Sequence, residues 1–363
     1  MCLYYKFQDR QTNMEYLRIL AMFLIVLSHV PLYINYPLEN SLLHTYPDYV
    51  MRIFRNLGRV GTNTFVLLTG YFSVKSYFKL SSLLKLWFIT FFYSFFTFVV
   101  FAYVKNLNYE AEDYLTYIFP ILYGKYWFVS CYFCLYLFSP FLNKGINAMT
   151  KKQHFYLIYM LIIWWSILPT IFVYPHYAEG VNYSIFMWFL ILYIIGSYFR
   201  LYVCPEQICI YKCVLCIYSC LFLFIFYLII IDYSEQVNQY LERNNLFLVL
   251  ISISLFLMFL KIKPTPKKAV NSISVCMIGV YLVHWHPLIV PFIQGCSFSK
   301  LGFSHFLLKS IIFAILIFAL SLCVEFIRRI LFRPLSKKML EIVDPIDKKI
   351  KDIILETKDI PTN

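Results

Sequence analysis

The sequence predicts an all-α membrane protein, a polytopic helix bundle with about ten transmembrane helices. Its 363 residues are 61% hydrophobic and only 14% charged, with a mean hydropathy of +0.68, which excludes an ordinary soluble domain of this length. Long apolar segments follow one another with no polar linker or second soluble block between them. Only helices satisfy the backbone polar groups of so many long spans internally, whereas barrel strands would be short and alternating.

The first apolar segment, residues 14–34, carries Glu15 and Arg18 and lacks an A-x-A-type exit. It is therefore predicted to be a membrane helix and not a cleavable signal peptide. Residues 1–335 are predicted to form one transmembrane domain, and residues 336–363 a cytoplasmic tail with a short surface helix. The other predicted spans, each an apolar run ended by a loop with polar or charged residues, are 60–74, 83–104, 126–142, 155–173, 183–203, 208–231, 246–262, 272–294 and 305–332.

The distribution of basic residues predicts the orientation. With the N-terminus in the cytoplasm, the predicted inner loops hold fourteen Lys and Arg residues and the outer loops hold seven. Because cytoplasmic loops are enriched in Lys and Arg, both termini are predicted to be cytoplasmic. The net charge of +13 lies in short loops between apolar runs, so it indicates membrane topology and not nucleic-acid binding.

Two ionisable residues, Arg18 and His29, lie eleven residues apart in the first span. A helix separates them by about 16 Å, roughly half the bilayer core. Each costs roughly 2.5 kcal/mol or more in lipid unless it faces the protein interior. Glu15, three residues before Arg18, predicts an ion pair on the same helix face. Either Arg18 reaches the headgroups and His29 bridges helices, or the two residues serve chemistry.

The chain carries, in order, the segments NMEYLRILAMFLIVLSHV, GRVGTNTFVLLTGYFSVKS, YWFVSCYFCLYLFSPFLNKGIN, WFLILYIIGSYFRLY and NSISVCMIGVYLVHWHPLI. In order and spacing, these five segments resemble the helices of acyltransferase family three, the integral-membrane O-acyltransferases of bacterial cell-surface polysaccharides. Together they cover about residues 13–290. One departure is the loop after the second segment, KSYFKLSSLLK, which has lysines where the family often carries an arginine-rich stretch.

The resemblance implies a multi-pass protein of the bacterial inner (plasma) membrane that transfers an acyl group, usually acetyl from acetyl-CoA, to a sugar hydroxyl. The expected partners are acyl-CoA, a polysaccharide or lipid-linked sugar, and membrane lipids, with no nucleic acid and no metal. A sugar hydroxyl is a poor nucleophile and needs a base whose pKa lies near the working pH, which an imidazole provides. The lysine-rich inner face suits a cytoplasmic donor with anionic phosphates.

These expectations assign roles to individual residues. His29 is the predicted catalytic base, and Arg18 is predicted to hold the donor's phosphate or carbonyl oxygens. His284, in the family-like Tyr-Leu-x-His pattern, either positions the substrate or the base, or is a helix-end histidine that meets headgroups. Lys75 and Lys79, four residues apart after the second span, are predicted to hold the CoA phosphates.

A second group of residues is predicted to bind the acceptor. Arg52, Arg55 and Arg59 form one basic face of MRIFRNLGRV in a predicted outer loop. They either bind an anionic glycan or a pyrophosphate lipid, or make a solvated surface face. Tyr281 belongs to the same Tyr-Leu-x-His pattern as His284 and is a candidate substrate contact.

Several glycines and cysteines are interpreted as structural residues. Gly61, Gly70 and Gly196 are expected to allow close helix packing. The cysteines are interpreted as small residues of a membrane core, because apolar helices do not stabilise thiolates. They form a stripe at positions 209, 213, 216 and 220 and a pair at positions 131 and 134.

Two alternative functions remain: a transporter or flippase of lipid-linked glycans, and a haem protein with His29 and His284 as ligands.

Overall fold

The structure, a computed structural model, describes residues 11–33, 46–105, 110–172, 184–232, 242–294 and 303–356. Within these ranges the chain is helical and contains no strand, which confirms the predicted all-α bundle. The α-helices are α1 Thr12–Tyr33, α2 Tyr46–Ser73, α3 Leu80–Phe91, α4 Thr97–Lys105, α5 Ala111–Ile118, α6 Trp127–Ala148, α7 Lys151–Ile162, α8 Leu168–Ile171, α9 Ile185–Tyr202, α10 Ile210–Asp232, α11 Leu246–Lys261, α12 Lys268–Ser274, α13 Met277–His284, α14 Val290–Ile293, α15 Phe303–Leu331 and α16 Arg333–Glu356.

Six helical segments in the described part of the chain are long and apolar enough to cross a membrane. Two of them join short helices through a π-helical turn, Phe92–Phe96 after α3 and Ile163–Ile167 after α7. The count of about ten spans stays a prediction. The six segments are Thr12–Tyr33, Leu80–Val104, Lys151–Ile171, Ile185–Tyr202, Ile210–Ile230 and His305–Leu331.

Two predicted spans differ from the observed helices. Helix α2 begins at Tyr46, well before the predicted start at residue 60, because its first half is amphipathic and its arginines lower the local hydropathy. The predicted single span 272–294 is broken into α12, α13 and α14. Pro287 lies in the second break, where a residue without a backbone N–H cannot continue the helix, and His284 is the last residue of α13 before it.

Helices α1, α2 and α9 pack through small residues at the centre of the bundle. A Cβ atom on Gly61 would collide with the backbone carbonyl oxygen of Ala21 on α1. Cβ atoms on Gly70 and Gly196 would collide with the carbonyl oxygens of Tyr193 and Leu67 at the α2–α9 crossing. The prediction that these three glycines allow close helix packing is confirmed.

The two ends of the bundle have different chemistry. Helix α1 runs from Arg18 towards His29, and α2 returns antiparallel to it and ends close to Lys75. We call the end with His29 and His284 the histidine end and the end with Lys75 and Lys79 the lysine end. At the lysine end, Asn143 on α6 donates to the carbonyl of Ser73 over 2.8 Å, which ties α6 to the end of α2.

A buried ion pair within α15 is hydrogen-bonded to the π-helical turn after α3. The Nε and Nη2 atoms of Arg328 donate to the Glu325 carboxylate over 2.7 and 2.8 Å, and the Tyr93 hydroxyl donates to it over 2.8 Å. Glu325 is fully buried, and a Cβ atom on Gly279 of α13 would collide with its carboxylate. Sequence reasoning did not single out this network.

Helix α16 follows α15 at the lysine end. It is longer than the short surface helix predicted for the tail, and residues 357–363 lie outside the described part of the chain. The Asp347 carboxylate accepts a hydrogen bond from the backbone N–H of Ser81 over 3.3 Å, while Leu335, Ile342 and Ile346 are exposed. The polar and apolar residues of helix α16 lie on different faces, so the helix is amphipathic, and its Asp347 holds it against the start of α3. The domain boundary predicted at residue 335 is not tested by this arrangement.

Candidate active site

A cavity of about 210 Å³ opens at the histidine end, between α1, α2, the start of α6 and the end of α13. Four of the residues singled out from the sequence, His29, Arg55, Arg59 and Tyr281, line it. The remaining lining residues are Ile25, Ser28, Leu32, Gly58, Thr62, Trp127, Phe128, Arg243 and Trp285. Residues that lie far apart in the sequence are thus brought to one site.

His29 and His284 form a hydrogen-bonded pair at this cavity. The Nδ1 atom of His29 lies 3.2 Å from Nε2 of His284, and Nδ1 of His284 lies 2.7 Å from the backbone carbonyl oxygen of Val280. A carbonyl oxygen only accepts, so Nδ1 of His284 carries a proton, and in the neutral ring Nε2 is then an acceptor. Nδ1 of His29 therefore donates to it. With Nδ1 of His29 protonated, the lone pair of the neutral ring is on Nε2. This nitrogen could therefore accept a proton, as a general base does.

Two aromatic residues hold the histidine pair in place. The indole ring of Trp285 stacks on the His29 imidazole, with ring centroids 4.0 Å apart and planes inclined by 15°. The hydroxyl of Tyr33, one turn beyond His29, donates to the backbone carbonyl of His284 over 2.9 Å. His284 is almost fully buried, whereas His29 is partly exposed. These contacts fix one orientation of the His29 imidazole and leave it accessible from the cavity.

Basic residues from two segments line the same cavity. Arg55 and Arg59 come from α2, and Nη1 of Arg59 donates to the side-chain oxygen of Asn56 over 2.7 Å. Arg243, just before α11, lies with its guanidinium 4.2 Å from the centre of the Trp127 ring. Arg52 does not line the cavity and is only 5% exposed, so the solvated-surface interpretation fails for Arg52.

The predicted donor-binding residues lie away from this cavity. Arg18 pairs with Glu15, as their spacing predicted, and its guanidinium lies 5.9 Å from the Phe72 ring at the lysine end. Its side chain is 25% exposed. Lys75 and Lys79 are exposed in the connection between α2 and α3. The predicted residues therefore form two groups, about 16 Å apart along α1.

Trp285 and Arg243 are two of the cavity residues that the sequence did not predict. Trp285 lies between the two histidines of YLVHWHPL, and this position was an available signal. Arg243 was counted only as an outer-loop charge. Its backbone carbonyl accepts a 2.8 Å hydrogen bond from Asn63, whose side-chain oxygen accepts in turn from the Trp188 indole over 3.0 Å. Nothing in the local sequence predicts these contacts with α2 and α9.

Comparison with protein families matches residues 11–327 of the chain to the model described as an acyltransferase domain. The match covers most of the chain, including both histidines and all the cavity residues. The chain belongs to acyltransferase family three. Comparison with curated proteins and comparison with solved structures give no match.

Membership of acyltransferase family three makes the chain a membrane acyltransferase. The family match supports an enzyme and gives no support to the transporter alternative. The haem alternative does not fit the geometry, because ring nitrogens of His29 and His284 are in direct contact at 3.2 Å and cannot hold an iron between them. Among the described residues, no group of three or more His, Cys, Asp or Glu side chains could hold a metal ion.

Proposed function

We propose that this acyltransferase moves an acyl group, typically acetyl, from cytoplasmic acyl-CoA to a hydroxyl of a cell-surface or lipid-linked sugar in the bacterial inner membrane. Both termini face the cytoplasm in this proposal. The observation that carries it is the ordered pair of His29 and His284 at the cavity, which leaves the Nε2 lone pair of His29 available. An imidazole arranged in this way matches the base that a sugar hydroxyl requires.

The proposed reaction uses His29 as general base and His284 as the residue that positions it. Nε2 of His29 takes the hydroxyl proton while the hydroxyl oxygen attacks the thioester carbonyl. A C–O bond forms, the C–S bond breaks, and the thiolate leaves and takes the proton back from His29. The His29 imidazolium is stabilised meanwhile because Nε2 of His284 accepts its Nδ1–H, much as a carboxylate does in a catalytic triad.

The donor is proposed to enter from the lysine end. Lys75 and Lys79 would hold the CoA phosphates as point charges, and Arg18, oriented by Glu15, would hold phosphate or carbonyl oxygens of the donor. The pantetheine arm would then lie along α1 and bring the thioester towards His29. Arg18 and His29 would act on the two halves of one extended substrate, which accounts for both ionisable residues in an apolar helix.

The deciding test compares acylation of surface glycans, measured by mass spectrometry, in cells that carry wild-type or variant protein. We expect His29→Ala to insert normally and to lose about 10²–10⁴-fold in transfer rate, the range for removal of a general base. His284→Gln should lower kcat with both KM values unchanged, because it acts through His29. His154→Gln removes a buried imidazole on α7 and serves as the control, with expected wild-type activity.

A retained tenth or more of the activity in His29→Ala would overturn His29 as the base and make His284 the candidate. An acetyl-imidazole route is the alternative use of the same nitrogen. Incubation with labelled acyl-CoA in the absence of acceptor distinguishes the two routes. Label trapped on His29 indicates the covalent route, and its absence supports direct transfer.

A further inference from the structure

The cavity beside His29 is strongly basic. Three guanidinium groups, those of Arg55, Arg59 and Arg243, line it, and its lining in the described part of the chain includes no Asp or Glu. Cations next to one another repel, and the repulsion is strong where the surroundings exclude water. Such an arrangement is stabilised by a bound anion, and arginine binds carboxylate and phosphate through two parallel hydrogen bonds.

Among the described residues, Arg243 has one acidic neighbour. Nη1 of Arg243 lies 3.3 Å from the Glu242 carboxylate, whose side chain is 38% exposed. A contact of this length to a solvated carboxylate is weak. Glu242 therefore leaves most of the charge of Arg243 available to a ligand.

Two of the three arginines, Arg59 and Arg243, are held before any ligand arrives. Asn56 accepts from Arg59 one turn away on α2, and the Trp127 ring supports the guanidinium of Arg243. Asn63 fixes the backbone of Arg243 against α2. Side chains that are already ordered lose little entropy on binding, which is typical of built recognition sites and not of solvated surface charges.

From these observations we propose that the acceptor is an anionic sugar, with a phosphate or carboxylate group close to the hydroxyl that is acylated. This proposal rests on the proposed function and names the substrate class of its site. Arg55, Arg59 and Arg243 bind the anion while the hydroxyl meets Nε2 of His29 in the same cavity.

The size and walls of the cavity agree with this substrate class. Its volume of about 210 Å³ is below the roughly 300–1,000 Å³ of pockets for drug-sized ligands, so it suits one sugar unit of a longer molecule. Trp127 and Trp285 supply aromatic walls, and indole rings pack well against sugar rings. The phosphates of CoA are the competing anions, and the proposal assigns them to the lysine end.

Binding of small probes to the purified full-length protein tests this directly. Trp127 and Trp285 report occupancy of the cavity through their fluorescence. The probes are glucose 1-phosphate, glucuronic acid and, as the neutral comparison, glucose. We expect both anionic sugars to bind at least about tenfold more tightly than glucose. The tighter of the two identifies the anion as phosphate or carboxylate.

Variants show which residues bind the anion. Arg59→Gln and Arg243→Gln should each weaken binding of the anionic probes by about 10- to 100-fold, the usual cost of losing hydrogen bonds to a charged group. Arg243→Lys keeps the charge but loses the planar guanidinium group, so its affinity for the anionic probes should lie between those of wild type and Arg243→Gln. It replaces the Gln variant in the test if that variant fails to fold. Lys125→Gln is the matched control. This cation lies 3.9 Å from the Tyr117 ring and does not line the cavity, so binding should be unchanged.

Two results would overturn the proposal. One is equal binding of glucose and the anionic sugars. The other is displacement of the sugars by adenosine 3′,5′-bisphosphate, which carries two of the CoA phosphates and would assign the arginines to the donor. Because binding is measured without acyl-CoA, these results are independent of transfer. Selective anion binding with inactive transfer would instead contradict the proposed function alone.

Discussion

Replacing Glu325 by Gln removes one charge from the buried network of α15 and leaves the shape of the side chain almost unchanged. The carboxylate accepts three hydrogen bonds, two from Arg328 and one from Tyr93, all between 2.7 and 2.8 Å. A glutamine has a single acceptor oxygen and brings an NH₂ group towards the guanidinium. Arg328, which is only 9% exposed, is left as a buried charge without its carboxylate.

The expected loss of stability follows from this geometry. Breaking a buried ion pair by removing one partner typically costs about 3–5 kcal/mol, because the remaining charge stays desolvated. Glu325→Gln with Arg328→Met removes both charges and should recover much of the loss. Glu341→Gln on α16 is the matched control. Its partner Lys337 is 3.8 Å away and both side chains are mostly exposed, so the effect should stay below about 1 kcal/mol.

Thermal denaturation of the purified protein in detergent, followed by the monomer fraction in size-exclusion chromatography, measures these effects. We expect Glu325→Gln to lower the midpoint by several degrees, the control to leave it unchanged, and the double variant to lie close to wild type. A midpoint for Glu325→Gln equal to that of the control would refute the reasoning. It would mean that water reaches Arg328 and that the network is not desolvated.

Three further predictions concern other parts of the chain. Arg18→Lys keeps the charge but loses the planar guanidinium group, which can make two parallel hydrogen bonds, so transfer activity should fall while the denaturation midpoint stays near wild type. Unchanged turnover would mean that Arg18 only anchors the helix at the lipid headgroups. Replacing both Lys75 and Lys79 by Ala should raise the KM for the donor and leave the KM for the acceptor unchanged in steady-state kinetics. An unchanged donor KM would mean that these lysines only help to set the membrane topology. Gly70→Ala should destabilise the protein by about 1–3 kcal/mol through the α2–α9 collision, whereas Gly145→Ala, which has open space around its Cβ position, should not; equal midpoints would contradict the close packing.

The sequence predicted the parts of the fold that depend on local apolarity. Helix α1 matches its predicted span closely because its residues are apolar nearly throughout. The first half of α2 was missed for the opposite reason: Arg52, Arg55 and Arg59 reduce its hydropathy although the helix continues through them. The break after His284 was missed because apolarity alone cannot separate one long helix from several short ones.

The sequence predicted several individual residues of the candidate site but not their arrangement in space. His29 and His284 were both singled out, yet no spacing rule joins residues 255 positions apart, and their contact depends on how α13 packs against α1. Arg243 was missed as a cavity residue because Asn63, on another helix, determines its position. Trp285 adjoins His284 in sequence, but only the fold stacks it on His29.

The separation of the two histidines along the chain also has a consequence for biogenesis. Helix α1 leaves the ribosome before α13, and His284 is synthesised 255 residues after His29. At about 5–20 residues per second, translation needs roughly 10–50 s to supply that partner. Throughout this interval the imidazole of His29 lies in the membrane without its hydrogen-bond acceptor. The histidine pair is thus completed only after residue 284 has been made, so nascent chains and proteins truncated before residue 284 carry no assembled site.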